Sequence, residues 1–215
     1  MTDVLTVNEI YLSVQGEGSR AGLPCVLVRL TGCNLNCAWC DTPQSRTEGR
    51  KMTIGEILRR VAELNCRRVE VTGGEPLCQS AALQLLSRLC EAGHETLLET
   101  NGSLDIAAVD SRVIRIVDSK CPSSGESARN HWSNVEHLRG SDEVKFVIAD
   151  RRDYEFARHA VFRRDLVAKC AVIFSPASGL MDPGELAKWI LDDGLDVRVG
   201  LQLHRIIWPD KDRGV

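Results

Sequence analysis

Short runs rich in Val, Ile and Leu alternate along the chain with stretches whose apolar residues recur at helical spacing, the pattern of an α/β fold with a largely parallel sheet. The runs predict strands over 5–12, 25–31, 68–72, 96–100, 113–117, 143–148, 170–174 and 196–203. The helical spacing predicts helices over 53–64, 78–92, 151–162 and 183–192. Two helix starts carry capping chemistry: Thr53 stands three residues before Glu56, and Asp182 precedes Pro183 and stands three before Glu185. Gly93 and Gly194 fall where a left-handed C-terminal cap is wanted. No repeat, linker or low-complexity tract interrupts the alternation, so residues 1–215 read as a single domain. The chain is short for a full eight-fold barrel, which takes about 250 residues, leaving a partial barrel or a doubly wound sheet.

The polar residues least at home in such a pattern sit just after the strands. A cysteine-rich loop follows 25–31, Gly73-Gly74-Glu75-Pro76 follows 68–72, Asn101-Gly102 follows 96–100 and Asp118-Ser119-Lys120 follows 113–117. Ser175-Pro176 and His204 close the last two strands. Ligands of barrels and open α/β sheets bind at the carboxyl ends of the strands, so these groups are expected to converge on one site.

Composition narrows the chemistry. With 27 Lys and Arg against 30 Asp and Glu, and a pI near 6.0, the chain lacks the basic footprint of a protein that holds nucleic acid through its phosphates. Neither a signal peptide nor a long apolar span is visible, which predicts a cytoplasmic protein without membrane attachment. Structural disulfides are rare in reducing compartments, yet there are nine cysteines, an odd number. Three crowd into Cys33-Asn-Leu-Asn-Cys37-Ala-Trp-Cys40; of the scattered others, Cys66, Cys90 and Cys170 lie in or beside apolar segments and read as small buried hydrophobes.

Three thiolates from one loop can each hold one iron of a four-iron cluster and leave the fourth iron open for a cofactor or substrate. A zinc site completed by His94, His131 or another cysteine is the alternative, although no second Cys or His knuckle is present. The spacing Cys33-x3-Cys37-x2-Cys40, with Gly73-Gly74-Glu75-Pro76 some way downstream after a strand, resembles the radical S-adenosylmethionine (SAM) superfamily. Within it, Val14-Gln15-Gly16-Glu17-Gly18, Arg29, Cys40-Asp41-Thr42, Glu99-Thr100-Asn101-Gly102 and Gln202-Leu203-His204-Arg205 are similar to the 7-carboxy-7-deazaguanine synthase family.

That resemblance implies a partial TIM-like barrel and a radical ring contraction of 6-carboxy-5,6,7,8-tetrahydropterin to 7-carboxy-7-deazaguanine with loss of ammonia. It further implies a 4Fe-4S cluster, SAM and Mg2+ as cofactors, a flavodoxin or ferredoxin as electron donor, and a homodimer. By position, Cys33, Cys37 and Cys40 match the cluster ligands and Thr42 the magnesium ligand. Trp39, Cys40, Asp41, Gly74, Glu75, Asp118, Ser119, Lys120, Ser175, Pro176, Ala177 and Ser178 match SAM contacts, with Glu75 complementing the ammonium. Val14, Gln15, Gly16, Glu17, Arg29, Thr72, His204 and Pro209 match the substrate site, Arg29 facing a carboxylate. Asp118-Ser119-Lys120 departs from the Ser-Pro-Lys often found in the family. Each residue also has a plainer reading: an ordinary turn at 15–18, a structural carboxylate partner for Arg29, a surface position for His204. A glycyl-radical activase is the rival within the superfamily, and a redox-sensing or zinc-binding module the rival outside it.

Overall fold

The computed structural model describes residues 3–211 and 213–215. Nine strands form one sheet: β1 (Val4–Val14), β2 (Pro24–Leu30), β3 (Arg50–Thr53), β4 (Arg68–Gly73), β5 (Glu95–Thr100), β6 (Ile114–Ser119), β7 (Glu143–Ile148), β8 (Ala171–Pro176) and β9 (Arg198–Val199). Their spatial order is β3-β1-β2-β4-β5-β6-β7-β8-β9. Every neighbouring pair from β2 to β9 is parallel, and β1 runs antiparallel to both β2 and β3. The order ends at β3 and β9 without closing, as a partial barrel requires.

Successive strand residues point to opposite faces, and the two faces differ in kind. Val26, Val28, Val69, Val71, Val144 and Phe146 belong to the buried apolar core. Helices α1 (Ile54–Glu63), α2 (Ala81–Glu91), α3 (Arg151–Arg164) and α4 (Pro183–Asp192) supply the other side of that layer, through residues such as Ile57, Leu85, Tyr154 and Leu186. Each large aliphatic side chain removed from water here contributes about 1.5–3 kcal/mol. The residues between them, Arg29, Glu70, Thr72, Glu99, Asp118 and Lys145, face away from this core and line a cavity.

Both helix starts fold as their sequences indicate. Thr53 and Glu56 form a reciprocal capping box on α1, and Asp182 accepts from the Glu185 N–H with Pro183 in the first turn of α4. Gly93 and Gly194 take φ of +87° and +60° just past α2 and α4. One strand goes beyond the sequence pattern and two expectations need correction. β3 carries almost no apolar signal, since Met52 alone of its residues is buried, and pairing with Val4–Val7 rather than composition makes it a strand. The strand expected over 196–203 shrinks to Arg198–Val199, because Leu203 donates its N–H to Gly16 and opens the short helix α5 (Leu203–Ile207). Helix α2 begins at Ala81 rather than 78, since Gln79 is spent bridging Thr6 and Thr31, its amide donating to both carbonyls and its carbonyl accepting from the Thr6 N–H.

Candidate active site

A cavity of about 450 Å³ opens at the carboxyl ends of the strands. Parallel register decides which side chains meet there: Arg29 is paired with Thr72 across β2 and β4, and Asp118 with Lys145 across β6 and β7.

The cysteine loop leaves β2 and is fastened at several points. Gly32 N–H donates to the Ser45 carbonyl at 2.8 Å, Ala38 N–H to Ser124 at 3.0 Å, and Asn36 N–H to the Glu126 carboxylate at 2.7 Å. The Trp39 indole donates to Ser123 Oγ at 3.2 Å, and Asn34 Nδ2 to Ser103 Oγ at 2.8 Å. The two glycines after β4 explain how this loop is received. A Cβ on Gly73 would stand 2.2 Å from the Leu30 carbonyl oxygen, and one on Gly74 2.3 Å from that of Gly32. Their lack of a side chain is thus used on the protein's own backbone, letting β4 press against the root of the loop.

Cys33, Cys37 and Cys40 are free thiols, half-buried, and all line the cavity. Leu35 N–H and Asn101 Nδ2 point at Cys33 Sγ from 3.5 and 3.8 Å, donors of the kind that stabilise a cluster-bound sulfur. Burial pushes the Cys37 thiol up, and Lys120 opposes this. Among the described residues no three His, Cys, Asp or Glu side chains converge on a point where one ion could sit. Three thiolates from one loop are the donor set a cubane takes, one on each of three irons.

Beyond the loop the cavity is strongly ionic. Arg29 donates from Nε to Glu9 at 2.9 Å and from one terminal nitrogen to the Tyr11 hydroxyl at 3.1 Å, so its structural partner is Glu9 while the guanidinium still borders the cavity. Lys145 reaches Glu17 and Glu99, each at 2.6 Å, with Asp118 3.6 Å away. Burial would raise the Asp118 carboxyl, but Lys120 and Lys145 outweigh it and hold it low. One Asp118 oxygen accepts from Lys120 at 3.0 Å; the other, Oδ1, is buried with no hydrogen-bond partner. Glu70 is pushed up to about 8, by burial first and then by the charge of Glu99. It takes a short hydrogen bond from Gln15 Nε2. Burial lowers His204, whose ring lies so close to Gly16 that a Cβ there would be 2.1 Å from Nδ1.

The residues singled out in the sequence line this cavity, apart from Glu75, Ser119 and Pro209. Ser119 lies on the alternate face of β6 from Asp118, and Pro209 follows α5 outside the lining. Glu75 is fully buried, and its carboxylate accepts from the N–H groups of Leu77 and Asn101 at 3.0 and 2.7 Å and from the Thr100 hydroxyl at 2.9 Å. It staples the Gly-Gly-Glu-Pro turn to the end of β5, so the expected contact with an ammonium is not supported by its position. Glu99, part of a segment that carries the resemblance but given no role of its own, also lines the cavity, and Glu70 and Lys145 do so without having been chosen; the signal that marks these last two is a charged residue between two apolar ones inside a strand, as in Val69-Glu70-Val71 and Val144-Lys145-Phe146.

A parallel partial barrel with a three-cysteine loop at its carboxyl end defines a radical SAM protein, and the Radical SAM superfamily matches residues 27–121. Over nearly its whole length the chain is 46% identical to 7-carboxy-7-deazaguanine synthase of Koribacter versatilis (strain Ellin345), covering 98% of this chain and 100% of that protein. It is 44% identical to the enzyme of that name from Chlorobaculum tepidum, covering 98% and 97%. The crystal structure of QueE from Escherichia coli superposes with a TM-score of 0.74 at 22% identity over 93% of this chain and 94% of that one, a likeness of fold. The chain belongs to the 7-carboxy-7-deazaguanine synthase family.

Proposed function

We infer that this protein is a radical SAM lyase that converts 6-carboxy-5,6,7,8-tetrahydropterin to 7-carboxy-7-deazaguanine with loss of ammonia, a step in queuosine and 7-deazapurine biosynthesis. The observation that carries the reading is one cavity with three free thiols on its loop and, on its strands, a guanidinium beside a cluster of carboxylates. A carboxylated, nitrogen-rich ring needs both kinds of partner.

When bound, the 4Fe-4S cluster and SAM supply reductive cleavage to a 5′-deoxyadenosyl radical. The chain's own residues hold, orient and shield. Cys33, Cys37 and Cys40 are the proposed cluster ligands. Trp39, Asp41, Gly74, Lys120 and the Ser175–Ser178 segment are the proposed neighbours of SAM, together with Asp118, whose unpartnered Oδ1 is a buried acceptor waiting for a donor. Arg29 is assigned to the substrate carboxylate, which a planar fork suits. Gln15, Glu17 and Thr72 are assigned to the ring, and His204 to the cover that α5 lays over Gly16. Thr42, with the Asp41 carboxylate 3.4 Å from its hydroxyl, is the proposed Mg2+ site, an oxygen donor set fit for that ion. A flavodoxin or ferredoxin as electron donor, a homodimer and a cytoplasmic location belong to the same proposal, on the strength of the family resemblance. Among the described residues no helix is long and apolar enough to cross a membrane.

An anaerobic assay with reconstituted protein, reductant, SAM, Mg2+ and 6-carboxytetrahydropterin, read by mass spectrometry, tests the reading. Product is expected from the natural sequence, and none from Cys37→Ala, which also loses iron and visible absorbance. Deoxyadenosine without 7-carboxy-7-deazaguanine would keep the radical chemistry and remove the pterin substrate.

A further inference from the structure

Among the cavity's charged residues, Lys145 has no role in the assignments above. It is 4% exposed, in the middle of β7, and its Nζ stands 2.6 Å from Glu17 Oε2 and 2.6 Å from Glu99 Oε1. Those two carboxylates come from distant parts of the chain, and each is fixed at its other oxygen as well. Glu17 Oε1 accepts from Gln202 Nε2 at 2.8 Å, and Glu99 Oε2 accepts from Thr72 Oγ1 at 3.1 Å. Strand β7 grips the Glu17 loop a second time two residues earlier, on the same face: Glu143 accepts from Ser19 N–H at 3.1 Å, from the Ser19 hydroxyl, and from Arg20 at 3.2 Å.

We propose that Lys145 is a positioning residue for the substrate: its ammonium bridges Glu17 and Glu99 and holds the two carboxylates side by side, as paired acceptors for the N–H edge of the aminopyrimidinone ring. The inference rests on the pterin reading above. An ammonium has three donors. Two are spent on Glu17 and Glu99, and the third faces Asp118 at 3.6 Å, so Lys145 holds charge rather than moving protons. Without it the neighbourhood is heavily acidic. Glu17 from the β1–β2 loop, Glu70 from β4, Glu99 from β5 and Asp118 from β6 line one cavity together with Asp41, and the other cations or potential cations of its lining are Arg29 from β2, Arg46, Lys120 just after β6, His204 and Arg205 from α5, and Lys211. Like charges so placed repel one another, and without the ammonium between them Glu17 and Glu99 lose the cation that holds them side by side at the ring edge.

The test compares the natural sequence with Lys145→Met and Lys145→Arg as cluster-loaded proteins, measuring affinity for 6-carboxypterin, a stable analogue with the same ring edge and carboxylate, alongside SAM affinity, iron content and turnover of the tetrahydropterin. Lys145→Met is expected to bind the analogue roughly ten- to a hundredfold more weakly, the worth of charge-assisted hydrogen bonds. Its KM should rise more than its kcat falls, with iron content and SAM affinity retained. Lys145→Arg, which keeps the charge, should recover most of the loss. Equal analogue affinity in Lys145→Met, or a parallel loss of SAM affinity, overturns the inference while product from the natural sequence leaves the activity standing. No product from the natural sequence removes the activity and the inference together. If Lys145→Met does not fold, Glu99→Gln keeps the Lys145–Glu17 pair and should show the same weakening; an unchanged affinity there overturns the proposal too.

Discussion

Replacing Glu70 with Gln tests whether the floor of the cavity stores a proton. The side chain is 3% exposed on β4, and burial together with the Glu99 charge pushes its carboxyl up to about 8 from an ordinary value of 4.5, with Lys145 and the Gln15 amide opposing. The sign follows from linkage. Below the ordinary value both folded and unfolded chains hold the proton, and the group is neutral toward folding. Above it the unfolded chain releases the proton while the folded one keeps it, so stability falls with rising pH by about 1.4 kcal/mol per unit, until the folded carboxyl also ionises near 8. By pH 7 the accumulated cost is on the order of 3 kcal/mol. Glutamine copies the shape of the protonated acid and carries no such cost. Denaturant unfolding of both proteins at about pH 5, 7 and 8 should therefore show Glu70→Gln gaining on the natural sequence by roughly that amount as pH rises. Taking the difference between the two proteins cancels the titrating groups that do not interact with Glu70. A difference of the same size at all three pH values would refute the stored proton.

Two glycine substitutions probe the contacts that shape the site. In Gly74→Ala the new Cβ meets the Gly32 carbonyl oxygen at 2.3 Å and Cys33 Cβ at 2.9 Å, backbone and loop root rather than a flexible side chain, so the cysteine loop must shift. The expected result is about 1–3 kcal/mol of lost stability and a fall in iron bound per chain after reconstitution, read by iron assay and visible absorbance. In Gly16→Ala the Cβ would overlap His204 Nδ1, so the His204 ring has to leave its place over the Val14–Gly18 loop. Pterin KM should rise by about tenfold or more, with SAM affinity unchanged, because the displacement falls on the substrate end of the cavity.

The fold was legible where one rule acted alone. Strands with an apolar outer face against the helices, and helices with caps at Thr53 and Asp182, stand where the pattern puts them. Legibility failed where tertiary contacts decided: Arg50–Thr53 is a strand because Val4–Val7 pairs with it, and 200–203 is not one because Gly200 packs on Ile173 and Ser175 while Leu203 binds Gly16. Glu75 shows the same limit inside the site. Its motif placed a carboxylate near a ligand, but in the fold Leu77, Thr100 and Asn101 have already taken it.

The inner face of the sheet carries a signal that apolar runs conceal. A strand covered by helices on one side and by a ligand cavity on the other need not be apolar throughout; its alternate residues answer to two different environments. In β4, β5 and β7 the outer positions are apolar or small, and in β6 they are Arg115, which is paired with Asp142, Val117 and Ser119, while the inner ones include Glu70 and Thr72, Glu99, Asp118, and Lys145. Parallel register then aligns these positions across neighbouring strands, so that residues far apart in the chain become a single charged floor. Burying that many charges is costly unless each is paired, and the pairing found, ammonium between carboxylates with hydroxyl and amide donors on their outer oxygens, meets most of that cost. What is left unmet, the free oxygen of Asp118 and the raised carboxyl of Glu70, lies on the cavity wall, where a ligand rather than the fold can supply the missing partner.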